Sequence, residues 1–131
     1  MIVDDSASVR EGLAISLEAF PDLDLVAEAA NGAEAIRLCE QVQPDIVLMD
    51  LAMPGIDGVA TTRAIRKALP DTHVIVLTGV REKSMIQSAL QAGAIGYLLK
   101  NVSVSALVNT IQSVYNTGSS GLMRQGLESP L

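Results

Sequence analysis

An open α/β sheet with all strands parallel and helices on both faces is the fold this sequence predicts, and three observations predict it. Short apolar runs alternate with amphipathic stretches five times along the chain. The clearest runs, Ile46-Val47-Leu48-Met49 and Val74-Ile75-Val76-Leu77, are continuous, which is the pattern of strands covered on both faces. Each pair of successive strands is separated by enough chain for a helical crossover, and parallel neighbours require right-handed crossovers that pack on the sheet.

Taken in order, Met1-Ile2-Val3 reads as a short first strand ending in Asp4-Asp5. Ser6 is placed to cap a helix that carries Val9, Leu13, Leu17 and Phe20 on one face and stops at Pro21-Asp22. Within Leu23 to Ala30, Leu25-Val26-Ala27 predicts a second strand, ended by Asn31-Gly32. Ala33 to Val42 then forms a helix with Ile36 and Cys39 inward, closed by Gln43-Pro44. The central strand is Asp45 to Asp50. Pro54, Gly55 and Gly58 turn the chain into a third helix, Val59 to Leu69, whose Arg63, Arg66 and Lys67 form a solvated face. Pro70-Asp71 ends it. His73 to Leu77 is a fourth strand that delivers Thr78-Gly79, and the lone His73 at its start is read as structural. Arg81 to Ala92 is a fourth helix with Ile86, Ala89 and Leu90 inward and Gly93 as C-cap. Ile95 to Leu99 is a fifth strand ending in Lys100. Asn101 to Ser105 opens the last helix, where Val104, Leu107, Val108, Ile111 and Val114 recur at three- and four-residue spacing. Thr117 to Gly121 reads as linker and the remainder to Leu131 has little periodicity, so the chain divides into a domain over 1–116 and a linker or tail over 117–131.

Composition narrows the function classes. The 131 residues suit one domain with a sizeable core, and the single Cys39 can form neither an internal disulfide nor a zinc cluster, which points to a reducing cytoplasm. Asp4-Asp5 follows Met1-Ile2-Val3 directly, so no signal-peptide core is expected, nor any run of membrane-spanning length. The net charge is -6 and the nine Lys and Arg are scattered, which gives no electrostatic footprint for nucleic acid. Phe20, Tyr97 and Tyr115 are the only aromatics, too few for base-stacking platforms.

Four of the five strands end in a polar residue able to do chemistry: Asp4-Asp5, Asp50, Thr78 and Lys100. In a parallel sheet these ends lie side by side, at the carboxyl edge where open α/β sheets place their ligands. Asp50 alone also suits a turn or a helix cap; the four placements together do not suit turn composition. Three carboxylates forced together repel one another unless a cation neutralises them. Mg²⁺ meets that need, being hard and octahedral and taking one or two carboxylates with waters and phosphate oxygens. The formal charges of three carboxylates, a divalent cation and Lys100 then cancel, leaving a site that attracts a dianionic phosphoryl group.

With these residues assembled, the chain resembles the response regulator receiver domains, also called CheY-like. The resemblance rests on Val3-Asp4-Asp5, on Asp45 to Asp50, on Met53-Pro54-Gly55-Ile56-Asp57-Gly58, on Leu77-Thr78-Gly79, and on Ala92-Gly93-Ala94 running through Gly96-Tyr97-Leu98-Leu99-Lys100. It covers residues 1 to about 116 and implies a flavodoxin-like five-stranded sheet in the order 2-1-3-4-5. The Gly-Tyr-Leu-Leu-Lys ending is similar to the subclass usually fused to a LuxR-type helix-turn-helix.

The resemblance implies a phosphorylation-activated switch of a two-component system, active in transcription regulation and not an enzyme beyond its own phosphorylation and slow dephosphorylation. Asp50 would be the phospho-acceptor, taking its phosphoryl group from a histidine kinase or a small phosphodonor. Asp5 would bind Mg²⁺ directly and Asp4 through water, with Asp50 and the backbone carbonyl of Ala52 completing the protein ligands. Lys100 would pair with the phosphoryl oxygens and Thr78 would donate a hydrogen bond to one of them. Their inward movement would open space behind Thr78 for Tyr97, altering the face of the fourth helix, fifth strand and fifth helix. Tyr97 equally suits the part of an ordinary half-buried strand tyrosine. Homodimerisation on phosphorylation and DNA contact only through an output domain absent from this chain complete the implied partners, with no membrane among them.

Three departures from the family pattern stand out. Only three residues precede Asp4, so the strand at the centre of the sheet is short; a trimmed start, a tolerated short strand or another segment filling the gap would each account for it. A version extended by a few apolar residues is expected to be more stable, and equal thermal midpoints for the two would rule that out. Asn101 stands where many receivers have proline after the lysine, which removes the reason to expect a cis bond there. The residues after the last helix are too few for a helix-turn-helix.

Three rival readings have their own signatures. An aspartyl-phosphate phosphatase needs a second acid two residues after the nucleophile, where this chain has Ala52. A flavodoxin-like flavin mononucleotide binder needs a phosphate-cradling loop where Asp4-Asp5 would repel phosphate. A docking pseudo-receiver would have no use for the acidic pair, Asp50, Thr78 and Lys100 together.

Overall fold

The computed structural model describes residues 1–51, 57–79 and 83–117. Ten elements alternate along it: β1 (Ile2–Val3), α1 (Ala7–Glu18), β2 (Glu28–Ala29), α2 (Gly32–Val42), β3 (Ile46–Asp50), α3 (Gly58–Ala68), β4 (His73–Thr78), α4 (Lys83–Gln91), β5 (Gly96–Leu99) and α5 (Val104–Thr117). All strand pairs are parallel, in the order β2-β1-β3-β4-β5. This is the doubly wound sheet expected from the alternation, with β3 at its centre and the short first strand inside it between β2 and β3.

Strand pleat divides the core into two layers. Val47, Met49, Val74 and Val76 point to one face, where Ala35, Cys39, Ile65, Ile86 and Ala89 of α2, α3 and α4 cover them. Leu48, Ile75, Leu77 and Leu98 point to the other, under Leu17 of α1 and Leu107, Val108, Ile111 and Val114 of α5. Successive side chains of one strand thus enter different layers, which is why the sequence shows continuous apolar runs. Val104, grouped with the inward residues of the last helix by its spacing, is instead exposed in that helix's first turn.

Helix boundaries follow capping chemistry. The side chains of Ser6, Asn31 and Asp57 accept hydrogen bonds from the amides of Val9, Glu34 and Ala60, satisfying donors that the first turns leave open. Gln43 ends α2 in a left-handed conformation at φ 45°, immediately before Pro44. Gly93, at φ +116°, turns the chain after α4, as its predicted capping role requires.

Two further expectations are corrected. The second strand lies at Glu28–Ala29 and not at Leu25-Val26-Ala27, because two residues of β1 offer pairing only to that register. Leu25 and Val26 remain exposed. Arg66 does not belong to the solvated face of α3: its guanidinium donates to the carbonyls of Pro70 and Thr72, and its stem lies against Gly93. It thereby ties the α3–β4 connection to the turn after α4. His73 is half-buried at the start of β4, where desolvation and then Arg66 lower its pKa. Cys39 is buried, and burial pushes its thiol up to about 11. No helix among the described residues is long and apolar enough to cross a membrane. Of the 117–131 segment read as linker or tail, residues 118–131 lie outside the described residues, and α5 runs on to Thr117.

Candidate functional site

β1 leads to two acidic side chains at the carboxyl edge, Asp4 and Asp5, and β3, β4 and β5 each lead to one functional side chain there. β1 is short as a strand, yet its hydrogen bonding runs from Met1 to Asp4: the Met1 nitrogen donates to the Ile46 carbonyl at 2.8 Å and the Asp4 amide to the Ala29 carbonyl at 3.1 Å. Asp4 is therefore held by the sheet. Its Oδ1 accepts the Ser6 amide at 2.9 Å, and its backbone carbonyl accepts from the Arg10 guanidinium at 2.7 Å. Arg10 in turn pairs with Glu28 of β2 at 3.5 Å.

Asp50, the last residue of β3, is buried, as is Asp4, while Asp5 is exposed. The three carboxylates each offer an oxygen within 4.8 Å of the others, a grouping able to hold a metal ion. Lys100 reaches over the end of β5 to both buried acids, with Nζ 3.1 Å from Asp4 Oδ2 and 3.4 Å from Asp50 Oδ1. Its backbone amide donates to the Thr78 carbonyl at 2.8 Å, fixing the base of the side chain. Thr78 is buried and lies one residue beyond Leu77, the partner of Asp50 across the β3–β4 ladder. The structure thus brings Asp4, Asp5, Asp50 and Lys100 together, with Thr78 ending the strand beside Asp50. Tyr97 pairs with Val76, half-buried against the layer under α2, α3 and α4. Ala52, expected to offer its carbonyl, lies outside the described residues.

Two features of the site were not singled out from the sequence. Arg10 anchors the Asp4 backbone, and its placement at the end of the first turn of α1 is the signal that could have marked it. Gly58 was read only as a turn former. Its amide donates to the Leu51 carbonyl at 2.8 Å, and a Cβ there would stand 2.2 Å from the Asp50 carbonyl oxygen and 2.5 Å from the Leu51 Cα. Only glycine lets α3 begin this close to the end of β3.

Desolvation lowers the Lys100 pKa, but the hydrogen bond to Asp4 and the charges of Asp50 and Asp4 outweigh it, and the net shift is upward. A raised folded-state value means that the stabilisation is complete below the unfolded value of about 10.4 and is lost as pH rises through the folded one. Because the side chain is a third exposed, solvent screening holds the contribution to about 1 kcal/mol or less. Lys100→Met is expected to be less stable by that amount at neutral pH and to lack this alkaline step, as read by urea midpoints from pH 7 to 11.

An open parallel α/β sheet with carboxylates and a lysine converging at its carboxyl edge defines a class of α/β proteins with a polar site there, one that could hold a metal ion. Within that class the sequence comparisons are specific. The response regulator receiver domain model matches residues 1–112, and the chain belongs to that family, whose members serve two-component signalling. Bacillus subtilis LnrK, a transcriptional regulatory protein, is 42% identical over 118 residues, covering 90% of this chain and 54% of its own. The signal receiver domain of NarL from Mycobacterium tuberculosis superimposes with a TM-score of 0.84 at 32% identity, over 88% of this chain and 94% of that one. A LuxR-family two-component response regulator from Aurantimonas gives 0.83 at 38% identity, over 88% and 83%. The chain spans about half the length of the curated relatives it matches. The Aurantimonas regulator is described as LuxR family, the subclass to which the Gly-Tyr-Leu-Leu-Lys ending is similar.

Proposed function

We propose that this domain is a phosphorylation-activated switch in which Asp50 accepts a phosphoryl group from a histidine kinase or a small phosphodonor. The observation that carries the reading is the convergence of three carboxylates within 4.8 Å, with one lysine spanning the two buried ones. The all-oxygen donor set fits Mg²⁺, and exposed Asp5 leaves the solvent side open for the waters this ion retains. Asp5 would hold it directly and Asp4 through water, with Asp50 beside them and the carbonyl of Ala52, which lies outside the described residues, as the further ligand the family resemblance implies. When bound, Mg²⁺ supplies charge neutralisation between the acids and the incoming phosphoryl group.

In the transfer an Asp50 carboxylate oxygen forms a bond to phosphorus. The bond from phosphorus to the donor nitrogen or oxygen breaks, and the leaving group keeps the electron pair. Lys100 neutralises charge on the phosphoryl oxygens and Thr78 donates a hydrogen bond to one of them. Phosphorylation replaces one negative charge with about two, drawing Thr78 and Lys100 inward. Tyr97 follows into the vacated space, and the face formed by α4, β5 and α5 changes. The protein catalyses its own phosphorylation and slow hydrolysis only. Dimerisation through the altered face, and DNA binding through an output domain of a longer parent, are the partners this reading supports, in the cytoplasm.

The test is incubation of the full chain with Mg²⁺ and a small acyl phosphate, followed by intact mass. A gain of one phosphoryl group, about 80 Da, is expected, and none with the metal chelated. No gain under either condition would favour the docking pseudo-receiver, and rapid multiple turnover of a phosphomonoester would favour the phosphatase.

A further inference from the structure

Every polar atom of Asp4 is engaged. Its amide donates to the Ala29 carbonyl at 3.1 Å and its Oδ1 accepts the Ser6 amide at 2.9 Å. Lys100 Nζ stands 3.1 Å from Oδ2, and the backbone carbonyl accepts from Arg10 Nη1 at 2.7 Å. Asp5, the next residue, is exposed, and its side chain makes no hydrogen bond or ion pair among the described residues. Yet an Asp5 carboxylate oxygen lies within 4.8 Å of oxygens of Asp4 and Asp50. Its direction is therefore set from behind, by the backbone.

The carbonyl that Arg10 grips belongs to the peptide unit joining Asp4 to Asp5, and a peptide unit is planar. Holding its oxygen fixes the plane from which the Asp5 Cα projects. Helix geometry places Arg10 for this task. Its amide donates to the Ser6 carbonyl at 3.1 Å in the first turn of α1, and helical side chains lean toward the amino end, over the residues that precede the helix. The Arg10 side chain is only 19% exposed, and its Nε stands 3.5 Å from Oε1 of Glu28, the register partner of Ile2 on β2. A guanidinium this close to three carboxylates and free to turn would compete with the cation they hold. Glu28 removes that alternative by satisfying the charge where the carbonyl is.

We propose that Arg10 is a positioning residue for the metal ion: it clamps the Asp4–Asp5 peptide so that Asp5 meets Asp4 and Asp50, and Glu28 keeps the guanidinium on that carbonyl. This role rests on the reading of the acidic site as one for Mg²⁺, and it adds two residues that touch neither the ion nor the phosphoryl group. The sign of the effect separates position from charge. Removing a positive charge beside a cation site favours the cation through space, whereas releasing the peptide disfavours it.

Mg²⁺ titration of the full ¹⁵N-labelled chain, followed at the amides of Asp5, Asp50 and Lys100, tests it. In about 1 M KCl the Debye length is about 3 Å, so effects of charge through solvent are largely screened. Arg10→Met, which keeps an apolar stem, is expected to raise Kd about ten-fold, as losing the partner of a metal ligand does. Glu28→Gln is expected to raise it a few-fold, and the double variant no further than Arg10→Met alone, because Glu28 acts through Arg10. Thermal midpoints in chelator record the cost to the fold separately. An unchanged or lower Kd for Arg10→Met overturns the proposal, including the case in which only its thermal midpoint falls, which leaves Arg10 a structural role. If Arg10→Met does not fold, the nearly isosteric Glu28→Gln decides, and no rise in its Kd overturns the proposal. A double variant weaker than Arg10→Met by the full Glu28→Gln factor overturns the part given to Glu28. The parent and Asp5→Asn report on the underlying reading: a parent without Mg²⁺-dependent shifts, or an Asp5→Asn variant that binds as tightly as the parent, overturns the Mg²⁺ site itself and the clamp with it.

Discussion

Asp50→Asn is expected to abolish the phosphoryl gain while leaving the fold intact. A carboxamide has nearly the shape of the carboxylate but no anionic oxygen with which to attack phosphorus, so uptake from an acyl phosphate should fall below detection by intact mass. Stability should change by less than about 1 kcal/mol, because the loss on one side is offset on the other. The pair lost is the longer of the two that Lys100 makes, 3.4 Å against 3.1 Å to Asp4, and one of three crowded negative charges goes with it. Thermal midpoints measured beside the mass spectra separate a chemical loss from a structural one. An undiminished gain in this variant would move the acceptor to another residue and end the assignment.

Gly58→Ala is expected to cost stability on a different scale. The new Cβ would meet the backbone of Asp50 and Leu51, at 2.2 Å and 2.5 Å, and no flexible side chain is there to move aside. Either α3 must back away or the end of β3 must shift, and overpacking of this kind costs about 3 kcal/mol or more when backbone is involved. Both responses disturb Asp50, so phosphoryl uptake should fall with the urea midpoint. Gly12→Ala is the control: a Cβ there meets nothing within 4 Å, and removing glycine from a helix interior should stabilise by about 0.5–1 kcal/mol. A Gly58→Ala protein as stable as the parent would show that the β3–α3 junction is not as tight as described.

The contrast between these glycines shows what a sequence can and cannot disclose. Ile46-Val47-Leu48-Met49 and Val74-Ile75-Val76-Leu77 announced buried parallel strands because both faces of the sheet are covered, and the pocket residues were legible because each ends a strand. The second strand was misplaced because Leu25-Val26-Ala27 has strand composition, whereas pairing is decided by where β1 offers hydrogen bonds. Arg66 was misjudged because a long cationic side chain on a helix normally faces water, and only the fold brings the carbonyls of Pro70 and Thr72 within its reach. Gly58 could be seen to turn the chain, but its crowding belongs to the distance between two elements.

Lys100 touches acids that lie 50 and 96 positions away along the chain, and Asp4 and Asp50 are themselves 46 apart. No short peptide cut from this protein contains the pocket, and an unfolded chain has nothing equivalent to offer a cation. Whatever ligand occupies it therefore binds only the native form and adds to the free energy of unfolding by mass action, about 2.7 kcal/mol at a hundred times its dissociation constant. A melting curve recorded against ligand concentration is thus also a binding isotherm for this pocket.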